Sequence, residues 1–172
     1  MILQKAPSWS AEAYHNGEKV KISSADYEGK WYVLYWYPLD FTLICPTEIR
    51  EFQRLQTAFE REGTAVIGCS TDSFYSHRAW LAETPTFFKP ITHPVIADTS
   101  HEVTRAFGML YEAKGIAFRG TVVVDDSGVV RAFAANDTTV GRNPSEVLRT
   151  VEALRAGGVC GVNWKKGDAF LG

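Results

Sequence analysis

The chain has 172 residues, 45% of them hydrophobic and 22% charged, with a formal charge of −2. That balance suits one globular domain with a substantial core, which excludes a disordered chain. It leaves no basic surplus for nucleic acid or anionic lipid, and no apolar run reaches the roughly 18 residues needed to cross a bilayer.

The first residues, MILQKAPSW, lack the charged and then apolar regions of a signal peptide. Residues 31–37 (WYVLYWY) form an apolar, aromatic run ending at Pro38, which predicts a buried central strand. In residues 46–62, Ile49, Phe52, Leu55 and Phe59 recur three or four apart, the pattern of an amphipathic helix with Pro46 in its first turn. A second buried strand is expected at 64–70 and a shorter helix around 73–83. Residues 84–94, with three prolines, read as a loop before a short strand near 94–97, and a helix is expected around 101–108. Two β-rich runs in 120–136 are split by Asp125-Asp126-Ser127-Gly128, a hairpin signal. Residues 144–156 read as a last helix, stopped by Gly157-Gly158.

This order implies a mixed α/β sheet flanked by helices, a thioredoxin-like plan with additions. No repeat or linker divides the chain. One domain over 1–156 is therefore expected, followed by a tail, 157–172, which its two glycines should make mobile.

Three cysteines are too few for a disulfide scaffold, and their odd number leaves one without an intrachain partner. A reducing cytoplasm is the natural setting. Cys45 stands where the central strand hands over to a helix, in the first turn of that helix. Backbone N–H groups there carry roughly half a positive charge, which favours a thiolate. An ordinary thiol is only about 3% ionised at pH 7. Ionisation alone does not make a fast catalyst, so a substrate must also be held and its leaving group stabilised. Thr42 offers a hydroxyl three residues before Cys45, Arg119 offers a permanently charged donor fork, and Pro38 would shield the sulfur from water. Taken singly, each has a plainer reading: a small buried thiol, two turn residues and a solvated arginine. Spacing leads to a candidate reactive thiol and stops there.

Pro38-x-x-x-Thr42-x-x-Cys45, within YPLDFTLICPTEI (37–49), resembles the peroxiredoxin active-site motif, in its alkyl hydroperoxide reductase C-like branch. The likeness continues through Ser70-Thr71-Asp72-Ser73, Ser76-His77-Arg78-Ala79-Trp80, Arg119-Gly120-Thr121 and Val140-Gly141-Arg142, and ends in Val159-Cys160-Gly161-Val162-Asn163-Trp164. The resemblance implies a typical two-cysteine peroxidase acting on hydrogen peroxide and organic hydroperoxides in antioxidant defence. Cys45 would attack the peroxide and become a sulfenic acid, with Pro38, Thr42 and Arg119 around it. Glu48 and Arg142 would orient the first arginine. Cys160 would resolve the sulfenic acid as an intersubunit disulfide, later reduced by a thioredoxin-type or flavoprotein disulfide reductase. A homodimer, assembling to a decamer, is implied; no cofactor or metal is.

The chain departs from the pattern in three places. Gly161 replaces the usual proline after Cys160, residues 84–94 carry no Gly-Gly-Leu-Gly insertion, and only twelve residues follow Cys160. Resistance to overoxidation is the expectation that follows. A dithiol oxidoreductase needs Cys-x-x-Cys, which is absent, and neither a zinc nor a hydrolase pattern is present. The remaining alternative is a holdase chaperone or redox-signalling binding protein on the same fold. Its support is the aromatic residues Phe87, Phe88 and Phe170, which fall outside the expected core elements. Cys69, mid-strand, reads as core packing.

Overall fold

The computed structural model describes residues 1–87 and 89–172. Nine strands occur among them: β1 (Ser10–His15), β2 (Glu18–Ser23), β3 (Trp31–Trp36), β4 (Thr64–Ser70), β5 (Val95–Ala97), β6 (Leu110–Tyr111), β7 (Ile116–Ala117), β8 (Arg119–Val124) and β9 (Val130–Asn136). The helices are α1 (Cys45–Arg61), α2 (Phe74–Leu81), α3 (Glu102–Ala106) and α4 (Pro144–Ala156).

Seven strands form one sheet in the order β2-β1-β5-β4-β3-β8-β9, and β6 pairs only with β7. Strands β3, β4 and β5 run parallel, while β8 lies antiparallel to β3. Every residue of β3 is buried, as its unbroken apolar run requires of a strand covered on both faces. Alternation divides it cleanly. Trp31, Val33 and Tyr35 pack with residues of α1, α2 and α4, whereas Tyr32, Leu34 and Trp36 pack with Val103 of α3 and with Phe107. This is the expected mixed sheet with helices on both faces.

The N-terminal hairpin β1–β2 is the main element absent from the sequence reading. Its second strand offers only Val20 and Ile22 between Glu18, Lys19 and Lys21, an apolar stripe of two residues that is half-buried against the core. The aromatic residues also need correction. Phe87 is buried and sits edge-on to Trp80, with ring centroids 5.2 Å apart. Phe170 is half-exposed and stacks on Trp164. Phe88 lies outside the described residues. No helix among the described residues is long and apolar enough to cross a membrane.

Candidate active site

The β3–α1 connection carries the reactive segment. Tyr37 and Pro38 continue the buried strand, and the chain then turns through Phe41, whose φ of 58° is unusual for a residue with a side chain. A buried polar network holds this turn in place. Asp40 accepts hydrogen bonds from the Tyr37 hydroxyl (2.7 Å) and the Ser76 hydroxyl (2.8 Å), and His77 Nδ1 stands 2.8 Å from the same carboxylate. The Asp40 N–H donates to Asp72 (3.0 Å).

His77 Nε2 faces the Ile96 carbonyl at 3.0 Å, so both ring nitrogens meet acceptors. Burial pulls His77 toward neutrality, but the Asp40 hydrogen bond and charge outweigh it and hold its pKa above the ordinary value. Sequence reasoning gave these residues no role. The reason is physical: their partners come from the β3 end, the β4 end and α2, and only the fold joins them.

Cys45 opens α1 and is fully buried, with Pro46 following in the first turn. No side chain caps that turn, so no acceptor competes for the positive helix end. Glu48 lies one turn on, on the same helix face. Arg119 begins β8, whose pairing of Thr121 with Tyr35 brings it beyond the C-terminal end of β3.

The result is one connected cluster. Arg119 Nη1 donates to Cys45 Sγ at 3.4 Å and to Glu48 Oε2 at 2.8 Å, and Arg119 Nε donates to the Thr138 carbonyl at 2.9 Å. Arg142 Nε and its backbone N–H both reach Glu48 Oε1, at 2.9 and 2.8 Å. Arg142 also donates to the carbonyls of Gly120 and Trp36 and lies over the ring of Tyr35, 5.4 Å from its centroid.

The charges decide what this cluster favours. Burial opposes ionisation of Glu48, yet the Arg142 hydrogen bonds and the charges of Arg142 and Arg119 prevail and hold its carboxyl below the usual range. Two cations against one carboxylate leave one positive charge in a nearly solvent-free site, beside the Cys45 sulfur. Gly141 contributes by its smallness. A Cβ there would stand 3.2 Å from the Ile44 side chain, so a larger residue would press on Ile44 by a few tenths of an ångström.

Thr42 is exposed, and its hydroxyl donates to the Leu39 carbonyl (2.7 Å), leaving its lone pairs free. Pro38 is buried on the same turn. The structure therefore joins Cys45, Glu48, Arg119 and Arg142 directly and keeps Thr42 and Pro38 beside them on the loop. Cys160 stands apart from this cluster, at the other end of the helix layer. Its thiol donates to the carbonyl of Ala153 (3.7 Å) in the last turn of α4 and to that of Gly158 (3.6 Å) just beyond the helix.

All three cysteines are free. Cys69 is buried, and burial together with the nearby Asp98 charge pushes its thiol well above its ordinary pKa, as suits an inert core residue. A groove of about 530 Å³ opens beside Arg119 and Arg142 and runs over Ala132 and Val147 of β9 and α4.

A buried thiol at a helix N-terminus, with a guanidinium against its sulfur and a thioredoxin-like sheet beneath, defines a thiol-based redox enzyme. Comparison with known proteins narrows the class. Residues 2–133 match the AhpC/TSA family. The chain is 40% identical to a thioredoxin peroxidase of Echinococcus granulosus, over 95% of this chain and 88% of that protein. It is 44% identical to the peroxiredoxin tpx1 of Schizosaccharomyces pombe, over 97% and 90%. Among solved structures, reduced 2-Cys peroxiredoxin of Plasmodium vivax superposes with a TM-score of 0.92 at 31% identity, covering 98% of this chain and 91% of that one. Enterococcus faecalis AhpC gives 0.87 at 35% identity over the whole of both chains. The chain belongs to the AhpC/TSA family, as a typical two-cysteine peroxiredoxin, and it is a thiol-dependent peroxidase.

Proposed function

We propose that Cys45 is the peroxide-attacking thiolate, that Arg119 and Thr42 bind and polarise the substrate, and that Cys160 of a second copy resolves the product. The observation that carries this reading is the 3.4 Å contact between Arg119 Nη1 and Cys45 Sγ. In the first step the sulfur lone pair attacks one peroxide oxygen and the O–O bond breaks. Cys45 becomes a sulfenic acid, and the departing oxygen takes a proton to leave as water or an alcohol. Arg119 faces the oxygen on which negative charge develops, while Glu48 and Arg142 fix its direction.

In the second step Cys160 sulfur attacks the sulfenic sulfur, hydroxide leaves and is protonated to water, and a disulfide remains. Cys45 is fully buried, so its helix turn must open to reach a partner thiol. A thioredoxin-type or flavoprotein disulfide reductase closes the cycle, in keeping with three free thiols and a cytoplasmic setting.

Pairing with a second copy is supported by β9, the last strand of the sheet: the N-terminal residues pair with it at Val130, and beyond that point it carries exposed Phe133, Ala134 and Ala135. Exposed Leu39, Phe41, Leu43 and Tyr75 near the site support a further contact, such as a decamer requires.

Arg119→Met tests the substrate-binding role. It is expected to lower the rate constant of peroxide reduction by about 10²- to 10³-fold, the usual loss for one charge-stabilising donor. The check is peroxide-dependent oxidation of the reduced protein, followed to completion in single turnover. An unchanged rate would remove Arg119 from the mechanism.

A further inference from the structure

A hydrogen-bonded string runs inward from Gln53 through His93 to Tyr35, whose ring lies beside Arg142. Tyr35 on β3 and Gly68 on β4 are register partners in the sheet. Because Gly68 has no side chain, the phenol can lie across it. A Cβ at that position would stand 2.9 Å from the Tyr35 hydroxyl and 3.0 Å from the ring carbon that bears it. The ring also stacks on Phe52 of α1, with centroids 4.0 Å apart and planes 12° from parallel. Reaching past Gly68, the hydroxyl meets His93 Nε2 at 2.7 Å, in the segment before β5. Both residues are at most 1% exposed.

The direction of this hydrogen bond follows from its neighbours. Gln53 Oε1 accepts the Thr92 N–H at 2.9 Å, and Gln53 Nε2 donates to the Thr92 hydroxyl at 2.9 Å, which sets the orientation of the amide. His93 Nδ1, 3.1 Å from the same Oε1, must therefore carry the proton. That leaves Nε2 bare, as the acceptor of the Tyr35 O–H. Burial favours the same uncharged ring and pulls the His93 pKa down to about 3.

Arg142 packs against the rings so fixed. Its guanidinium carbon lies 5.4 Å from the Tyr35 centroid and 5.8 Å from that of Phe52, while its N–H groups hold Glu48 and the carbonyls of Trp36 and Gly120. Glu48 in turn holds Arg119, which meets the Cys45 sulfur.

We infer that Tyr35 and His93 are positioning residues for peroxide reduction: their hydrogen bond pins the ring that backs Arg142, and so keeps Glu48 and Arg119 aimed at Cys45. The inference rests on the reading of Arg119 as the group that polarises the peroxide. A phenylalanine at position 35 fills the same space, but nothing then ties its ring to His93. A bare nitrogen is also left buried without a donor. Arg142 gains freedom to shift, and the Glu48 carboxylate passes that shift to Arg119.

The test uses the full chain, reduced, in single turnover. Two rates are read for Cys45 under the same conditions: oxidation by hydrogen peroxide, and alkylation by iodoacetamide, whose iodide leaves without help from Arg119. Tyr35→Phe is expected to slow oxidation about threefold to tenfold, the range for one lost buried hydrogen bond, and to leave alkylation within about twofold of the parent. His93→Leu should do the same. His93→Gln, whose amide oxygen can take the place of Nε2, should keep oxidation near the parent rate.

Parent oxidation rates in both Tyr35→Phe and His93→Leu would overturn the inference. Alkylation that shifts as far as oxidation does would overturn it too, because a loosened fold alters every reaction of the buried thiol. So would an equal loss in His93→Gln and His93→Leu, since the acceptor would then play no part. Arg119→Met, measured alongside, is the control on the underlying reading. If it is oxidised at the parent rate, the role of Arg119 fails and its positioning fails with it. If it is slow while Tyr35→Phe matches the parent, the positioning alone is wrong.

Discussion

Cys45→Ser is expected to abolish peroxide turnover, by about 10⁴-fold or more, while leaving the fold nearly as stable as before. A serine hydroxyl fills the same space at the start of α1 and still accepts from Arg119, so packing changes little. What disappears is the ionisable, oxidisable sulfur, and removing the nucleophile from a catalytic unit typically costs several powers of ten. Coupled turnover with a thioredoxin system checks the activity, and guanidinium unfolding checks the stability. Residual turnover near the parent rate would move the chemistry away from Cys45. A collapse of stability would mean that the loss of activity says nothing about mechanism.

Glu48→Ala carries the largest expected effect on stability. The Glu48 carboxylate is the only acidic group that pairs with Arg119 and Arg142 among the described residues, and all three side chains are at most 6% exposed. Its removal leaves two buried guanidinium groups facing one another with carbonyl and hydroxyl acceptors and the Cys45 sulfur, but no carboxylate. Breaking a buried pair in this way costs about 3–5 kcal/mol, read as a lower midpoint of guanidinium unfolding at unchanged slope.

Activity should fall too, by about 10²-fold, because a misdirected guanidinium no longer meets the leaving oxygen. Glu48→Gln separates the two effects. It keeps acceptor geometry for part of the network, so it should unfold at a higher midpoint than Glu48→Ala while remaining a poor peroxidase. Equal stability of the alanine variant and the parent would show that the cluster does not depend on its carboxylate.

How much of this was legible in the sequence depends on the range of the interactions involved. The β3–α1–β4 unit was plain, since an unbroken apolar run and a three-and-four spacing are local signals that burial then satisfies. The hairpin β1–β2 was missed although a signal existed: Asn16-Gly17 adopts positive φ at both residues, as a tight turn between antiparallel strands requires. The apolar alternation of β2, Val20 and Ile22 between Lys19 and Lys21, is only two residues long and so is a weak signal beside it.

Of the cluster, Cys45 and Arg119 were singled out by residue type and position, whereas Glu48 and Arg142 were legible only through family resemblance, because the members lie as far as 97 positions apart (142 − 45) and only the fold joins them. Asp40, His77 and Asp72 were invisible as a unit for the same reason. The packing of the tail was not legible in the sequence, where only its glycines stood out. Glycines loosen a chain in isolation, but Gly158 and Gly161 here admit Phe170 and Leu171 against the backbone.

The most direct test of the central claim is disulfide mapping after stoichiometric oxidation. Reduced protein is mixed with one equivalent of hydrogen peroxide, quenched with a thiol-blocking reagent, separated on a non-reducing gel and digested for mass spectrometry. The mechanism predicts a band at twice the subunit mass in which Cys45 of one chain is bonded to Cys160 of another, with Cys69 fully blocked as a free thiol. Cys45 recovered as a blocked, unoxidised thiol after prolonged exposure to peroxide would contradict it.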